Sequence, residues 1–163
     1  MPQYLGQHFL KNKDAIMKIV EALDLKNRET VIEIGPGKGA LTIPLAQKCA
    51  EVGAKLIGIE KDEDLAYSVQ RLGFSKNTLE IITGDALKEL PEITKRCTLY
   101  AERFKLVGNI PYYITGNLLR VIGELPVKPE LIVLMVQKEV AERVAAGPGK
   151  MNLLAAATQV WAD

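Results

Sequence analysis

A glycine-rich segment follows a short β-branched run near residue 30. Its sequence, EIGPGKG at positions 33–39, places glycines at 35, 37 and 39. Glycine adopts positive φ without a steric penalty and lets the backbone approach a ligand closely. Because ligands in open α/β sheets bind at the carboxyl ends of strands, Gly35 and Gly37 are candidate binding residues. The alternative is a tight turn without a ligand, and the GxGxG spacing differs from the GxGxxG of dinucleotide sites.

Two carboxylates end the next two apolar runs. Glu60 follows residues 55–59, and Asp85 follows residues 79–83. A carboxylate in the first position can accept two ribose hydroxyl hydrogen bonds, and one in the second suits the exocyclic amine of an adenine. Either acid alone is more typical of a surface carboxylate or a helix cap. Together with the glycine turn, the three strand ends favour an adenosine-containing ligand.

The motif NIPY at 109–112 follows a fourth apolar run. The Asn109 side-chain oxygen and a main-chain carbonyl near Ile110 can accept both hydrogens of an amino group, which leaves its lone pair available for attack. Pro111 fixes the turn and has no amide donor, and Tyr112 can stack on a flipped base. The segment resembles the (N/D/S)-P-P-(Y/F) motif of amino-group methyltransferases. The alternative is a plain proline turn with a packed tyrosine.

Strands and helices must alternate to position these residues. Apolar runs predict strands over 30–34, 55–59, 79–83, 104–108 and 131–136, and helical periodicity predicts helices over 14–24, 39–50, 62–72, 115–125, 138–146 and 152–161. Asn12 or Asp14 is expected to cap the first helix, and Thr115 the helix after NIPY. The alternation predicts an α/β fold with a mostly parallel sheet and helices on both faces. The apolar fifth strand would leave an open edge, so we expect the last strands of the domain to be missing.

Composition places few further limits on function. The chain has 163 residues, 25% of them charged, and a net charge of +1, which counts mildly against nucleic-acid binding by the chain as a whole. Cys49 and Cys97 lie far apart without partner histidines, so we expect small apolar side chains, no metal site and a cytoplasmic protein. No apolar run is long enough to span a bilayer.

Taken in order, six segments resemble the ribosomal RNA adenine N6,N6-dimethyltransferase family. They cover essentially the whole chain: GQHFL at 6–10, VIEIGPGKGALT at 31–42, GIEKD at 58–62, GDA at 84–86, NIPYYIT at 109–115 and LMVQKEVAERV at 134–144. The last segment resembles the 16S-type enzyme, which dimethylates two adjacent adenosines near the 3′ end of the small-subunit RNA. The erythromycin-resistance 23S methyltransferases share most of these motifs and are the nearest alternative.

The resemblance implies a Rossmann-like class I fold and S-adenosyl-L-methionine as the cofactor. Matching positions imply that His8 and Leu10 touch the cofactor and that Gly35 lies against its methionine part. Glu60 would hold its ribose and Asp85 its adenine. Asn109 would lie between the cofactor and the substrate base, on which Tyr112 stacks.

The same resemblance implies a partner and a domain boundary. Residues 1–163 would form one S-adenosylmethionine-binding domain, incomplete at its C-terminus, without the helical RNA-contacting domain of the family. The partner would be ribosomal RNA in the small subunit, and the chain would be a monomer. Two alternatives remain: a nicotinamide-dependent dehydrogenase, which does not predict NIPY, and a ribosome-assembly or RNA-binding factor without turnover.

Overall fold

The computed structural model describes residues 12–99 and 103–162. Its strands are β1 (Thr30–Ile34), β2 (Lys55–Glu60), β3 (Leu79–Thr83), β4 (Phe104–Asn109) and β5 (Leu131–Met135). Its helices are α1 (Lys13–Ala22), α2 (Thr42–Val52), α3 (Glu63–Gln70), α4 (Ala86–Leu99), α5 (Tyr112–Glu124), α6 (Lys138–Val144) and α7 (Leu153–Gln159). The five predicted strands are confirmed to within one residue at each end.

All five strands run parallel, in the order β3-β2-β1-β4-β5. In the central strand β1, Ile34 lies opposite Gly108 of β4 on one side and opposite Ile59 of β2 on the other. The chain moves outward from β1 to β3 and then returns to β4. The strand order therefore reverses between β1 and β4, and open α/β sheets bind ligands in the crevice above such a reversal.

The predicted helices on both faces are present, and each face has its own apolar cluster. Alternate residues of a strand point to opposite faces, so Ile32 and Ile34 pack with α4 and α5, while Val31 packs with α1 and α2. The β-branched residues of β1 are thus buried on both sides, as is typical of a central parallel strand. Cys49 lies fully buried in the second cluster, as predicted for a small apolar residue.

Helix α4 was not predicted from the sequence. Pro91 lies inside it, and an interior proline removes one backbone hydrogen bond and disfavours the helix. Three apolar residues nevertheless follow helical spacing, and all three are buried: Ala86, Leu90 and Ile93. Their burial under β2 and α5 outweighs the local cost of the proline.

The helix caps are partly as predicted. Asn12 caps α1 by accepting hydrogen bonds from the amides of Asp14 and Ala15. The prediction for Thr115 was wrong, because α5 begins at Tyr112 and Pro111 is the residue that precedes it. Pro111 has φ −59°, close to the helical value, which allows the helix to start three residues earlier. Thr115 is instead buried in the helix, and its hydroxyl donates to the carbonyl of Pro111 at 3.1 Å.

Strand β5 is an edge of the described sheet. It pairs with β4 only, and all five of its residues are half-buried. Helices α6 and α7 follow it, with α7 packed on α5. The predicted apolar edge is therefore present among the described residues.

Candidate active site

A cavity of about 270 Å³ lies at the carboxyl edge of the sheet. The ends of β1, β2, β3, β4 and β5 all contribute to its lining. It contains every predicted site residue that the structure describes: Gly35, Gly37, Glu60, Asp85, Asn109, Ile110, Pro111 and Tyr112. A second, more open groove of about 480 Å³ between α5 and α7 contains none of them.

The glycine-rich turn forms the floor of the cavity between β1 and α2. Gly35, Gly37 and Gly39 all have positive φ, of 69°, 58° and 81°. A side chain at any of them would be strained. The turn therefore presents backbone to the cavity, as the glycine spacing predicted.

Glu60 is almost completely buried and anchors that turn. One carboxylate oxygen accepts a hydrogen bond from the Gly37 amide at 2.8 Å, and the other accepts one from the Asp62 amide at 3.0 Å. Glu60 thus has a structural role that the sequence did not indicate. A carboxylate oxygen has about two lone-pair directions, so each oxygen can still accept a ligand hydroxyl.

Asp85 lies between β3 and α4 and faces a cation. Its Oδ1 accepts from the Leu87 amide at 3.0 Å, and its Oδ2 lies 3.2 Å from the Lys61 ammonium. Burial raises the pKa of Asp85, but the Leu87 amide and the Lys61 ammonium outweigh it and lower that pKa below its ordinary value. The carboxylate is therefore ionised near neutral pH and acts as a hydrogen-bond acceptor.

The NIPY segment forms the opposite wall, after β4. The Ile110 amide donates to the carbonyl of Met135 at 2.9 Å and its side chain is buried, so its carbonyl is the polar group it can offer to a ligand. Tyr112 is 61% exposed at the mouth of the cavity. The ring of Tyr113 meets it edge to face, with centroids 6.0 Å apart and planes at 87°. The Tyr112 ring can therefore receive a planar group from solvent.

A buried acid without a predicted role lies next to the turn, in β1. Glu33 is 1% exposed, and neither its Oε2 nor the nearby Thr42 hydroxyl has a hydrogen-bond partner among the described residues. Burial, opposed by Thr42 and assisted by the charge of Glu60, raises the pKa of Glu33 to about 8. Glu33 is therefore largely protonated at neutral pH.

Two glycines within strands allow the chain to pack closely beside the cavity. The hydrophobic periodicity of the sequence did not indicate this role. A Cβ on Gly58 would lie 2.7 Å from both Pro36 Cγ and Ile81 Cδ1. A Cβ on Gly108 would lie 2.8 Å from the carbonyl oxygen of Ile34. All three contacts are too short for real atoms, so these glycines allow the end of β1 and the turn after it to lie close to the neighbouring strands.

His8 and Leu10 lie outside the described residues. Within 12–99 and 103–162, no group of three or more His, Cys, Asp or Glu side chains is placed to hold a metal ion. Among the same residues, no helix has the length and apolar character needed to cross a membrane.

The chain resembles known proteins in sequence and in structure. Residues 2–163 match the family model described as ribosomal RNA adenine dimethylase. The ribosomal RNA small subunit methyltransferase A of Dehalococcoides mccartyi is 41% identical over 160 residues, which are 98% of this chain and 52% of the relative. The chain thus spans about half the length of the curated relatives it matches.

Two solved structures are similar to this chain in fold. A dimethyladenosine transferase from Plasmodium falciparum superimposes with a TM-score of 0.67 and 28% identity, covering 90% of this chain and 49% of that one. The structure of the 23S rRNA methyltransferase ErmE superimposes with a TM-score of 0.63 and 27% identity, covering 83% of this chain and 50% of that one. The predicted Rossmann-like fold of class I S-adenosylmethionine-dependent methyltransferases is confirmed. From its sequence match over residues 2–163 and this shared fold, the chain belongs to the ribosomal RNA adenine dimethylase family.

Proposed function

We propose that this chain binds S-adenosyl-L-methionine and transfers its methyl group to N6 of adenosines in ribosomal RNA. The observation that carries the proposal is the convergence of the glycine turn, Glu60, Asp85 and NIPY on one cavity. Residues 1–163 are then the cofactor-binding domain. Membership of the adenine dimethylase family supports the choice of base and reaction over a nicotinamide-dependent dehydrogenase.

The finer proposal is dimethylation of two adjacent adenosines near the 3′ end of 16S rRNA, with the small ribosomal subunit as partner. It is supported by relatives named ribosomal RNA small subunit methyltransferase A, at 41% identity. Dimethylation requires that a monomethylated amine can turn and react again. The exposed position of Tyr112 at the cavity mouth is compatible with a base that binds from solvent.

The residues present fit the cofactor. Gly35 and Gly37 present backbone to its methionine part, Glu60 can accept from the ribose hydroxyls and Asp85 from the adenine amine. Each carboxylate oxygen of Glu60 keeps acceptor capacity beside its amide partner, and Oδ2 of Asp85 is paired with the exposed ammonium of Lys61. His8 and Leu10 are proposed to complete the site. When bound, the cofactor supplies an electrophilic methyl group on a sulfonium centre.

The chain's own residues then act on the target amine. The Asn109 side-chain oxygen and the Ile110 carbonyl accept the two N6 hydrogens, while Pro111 holds the turn and Tyr112 stacks on the base. N6 would accept the methyl group and S-adenosylhomocysteine would be released. The positive charge that then develops on N6 would be stabilised by these two oxygens and by the face of the Tyr112 ring. The N6 proton leaves to water after transfer, and no strong general base is required.

Calorimetric titration of the purified chain tests the cofactor proposal. S-adenosylmethionine should bind, NAD should not, and Asp85→Ala should weaken binding about tenfold or more, the loss expected for one charged hydrogen-bond acceptor. NAD binding, or no effect of Asp85→Ala, would contradict the assignment. Methyl transfer to small-subunit particles then tests the substrate.

A specific similarity supports a second candidate. The structure of ErmE, a 23S rRNA methyltransferase, superimposes nearly as well as the dimethyladenosine transferase. Methyl transfer to protein-free 23S rRNA but not to small-subunit particles would favour this alternative. Binding to particles without transfer to either RNA would instead favour a non-catalytic assembly or RNA-binding factor.

A further inference from the structure

Lys61 lies between the two acids of the cavity. It follows Glu60 at the carboxyl end of β2, and its ammonium reaches Asp85 at the end of β3, 3.2 Å from Oδ2. All three residues line the same cavity. The lysine side chain therefore crosses from the proposed ribose acid to the proposed adenine acid.

The two oxygens of Asp85 have partners of different mobility. Oδ1 accepts from the Leu87 amide, which is fixed in the first turn of α4. Oδ2 is paired with Lys61, whose side chain is 65% exposed. A long exposed side chain gains little from holding one geometry. Oδ2 is therefore the oxygen whose partner can be replaced by a ligand.

We propose that Lys61 determines affinity and specificity at the adenine end of the cavity, because its ammonium competes with the 6-amino group of an adenine for Oδ2 of Asp85. The inference rests on the proposed function, since it takes Asp85 as the adenine acceptor. Measured strengths of exposed ion pairs correspond to a factor of about 1.4 to 5 in an equilibrium constant. Competition from Lys61 should weaken binding of an adenosine ligand by about that factor.

The same lysine has the opposite effect on a purine that carries oxygen at position 6. That oxygen accepts hydrogen bonds, so the carboxylate of Asp85 repels it and the ammonium of Lys61 can donate to it. Lys61 therefore reduces discrimination between 6-amino and 6-oxo purines. Removal of the ammonium should therefore strengthen binding of the 6-amino purine and weaken binding of the 6-oxo purine, which increases the ratio of the two affinities.

The test is calorimetry of the whole chain with S-adenosylhomocysteine and with S-inosylhomocysteine, its 6-oxo analogue. Lys61→Met should bind S-adenosylhomocysteine about 1.4 to 5 times more tightly than wild type, and S-inosylhomocysteine more weakly. Lys88→Met is the matched control. Lys88 is exposed and acts on Asp85 by charge alone, without lining the cavity, so its removal should not tighten either complex.

Salt gives a second readout that a packing change would not produce. S-adenosylhomocysteine has no net charge, whereas the Lys61–Asp85 pair is exposed and is screened as ionic strength rises. The ratio of the wild-type and Lys61→Met dissociation constants should therefore fall towards one between about 0.05 and 1 M salt. A ratio that stays constant would contradict competition by the ammonium.

The outcomes separate this inference from the function on which it rests. Equal or weaker binding of S-adenosylhomocysteine by Lys61→Met overturns the role of Lys61, while loss of binding in Asp85→Ala still supports the cofactor site. Absence of wild-type binding to S-adenosylhomocysteine overturns both. Tightening by Lys88→Met as large as that by Lys61→Met assigns the effect to net charge and also overturns the inference.

Discussion

Asn109 is the last residue of β4 and faces Met135 of β5 in the sheet register. Its backbone position is thus set by the sheet, while its side chain is proposed to orient the reacting amine rather than the cofactor. Asn109→Ala should lower single-turnover methyl transfer to small-subunit particles by about 100-fold or more, as for removal of one preorganised polar group. Affinity for S-adenosylhomocysteine should change by less than about threefold, well under the tenfold of one charged hydrogen bond.

Tyr113→Phe provides the control for that substitution. Tyr113 contacts Tyr112 through its ring, and the phenylalanine ring keeps that contact. Its effect on both rate and affinity should be small. A parallel loss of rate and affinity in Asn109→Ala would mean that Asn109 holds the cofactor and does not act on the amine.

Glu33 should make the stability of the protein depend on pH. Its pKa is about 8 in the folded chain, against 4.5 for the unconstrained group. Between these values the folded state holds a proton that the unfolded state releases, so the free energy of unfolding falls as pH rises from 4.5 through 8. The stabilisation is fully present below the lower value and is lost above the upper one.

Glu33→Gln should flatten that pH profile, because glutamine is neutral at every pH. Urea unfolding at several pH values measures the effect. The variant should exceed wild type in stability at pH 9, where wild type must ionise a buried acid, and lose that advantage near pH 5. If the free energy of unfolding of the variant falls with pH as steeply as that of wild type, a group other than Glu33 is responsible.

At the scale of elements, the glycine turn after β1 depends on its neighbour β2. Gly58 lies in the middle of β2, and Pro36 occupies the space that a side chain there would need. Gly58→Ala should displace Pro36, lower the free energy of unfolding by about 1–3 kcal/mol and weaken binding of S-adenosylhomocysteine. Denaturant titration and calorimetry measure the two effects.

Gly116→Ala is the matched control for Gly58→Ala. Gly116 lies inside α5, and an added Cβ meets nothing within 4 Å. Alanine in a helix interior should stabilise the protein by roughly 0.5–1 kcal/mol. Binding should be unchanged. Equal binding losses in both variants would show that Pro36 is not the link between β2 and the turn.

At the scale of the whole molecule, a buried ion pair lies at the end of the sheet opposite the cavity, and its lysine also bonds the chain just after α1. The ammonium of Lys105 lies 2.9 Å from Glu29 and donates to the carbonyls of Leu23 and Asp24 at 2.8 Å. Both side chains are only about 5–6% exposed. Removing one partner of such a pair leaves an uncompensated buried charge.

Lys105→Met should therefore lower the free energy of unfolding by about 3–5 kcal/mol. The double substitution of Lys105→Met with Glu29→Leu should recover much of that loss, because no charge then remains buried. Urea unfolding measures both variants. Under conditions in which each variant is fully folded, its affinity for S-adenosylhomocysteine should equal that of wild type. A loss of affinity under these conditions would mean that this end of the sheet affects the cavity.

The sequence by itself determined the parts of this protein that depend on local pattern. Five β-branched or apolar runs predicted the parallel strands, and the motifs that end four of them predicted which residues would meet. Parallel strands place their carboxyl ends at one edge, so residues 35, 60, 85 and 109 had to converge once the strands were adjacent. The sequence also determined family membership, through motifs that extend over nearly its whole length.

Only the tertiary structure decided what depends on neighbours distant in the chain. Helix α4 forms despite Pro91 because Leu90 and Ile93 are buried by other elements. Glu60 anchors Gly37, which lies 23 positions away in the sequence, and Lys61 pairs with Asp85, which lies 24 positions away. Hydrogen bonds, ion pairs and burial depend on distances in space, and these distances are set when the whole sheet assembles.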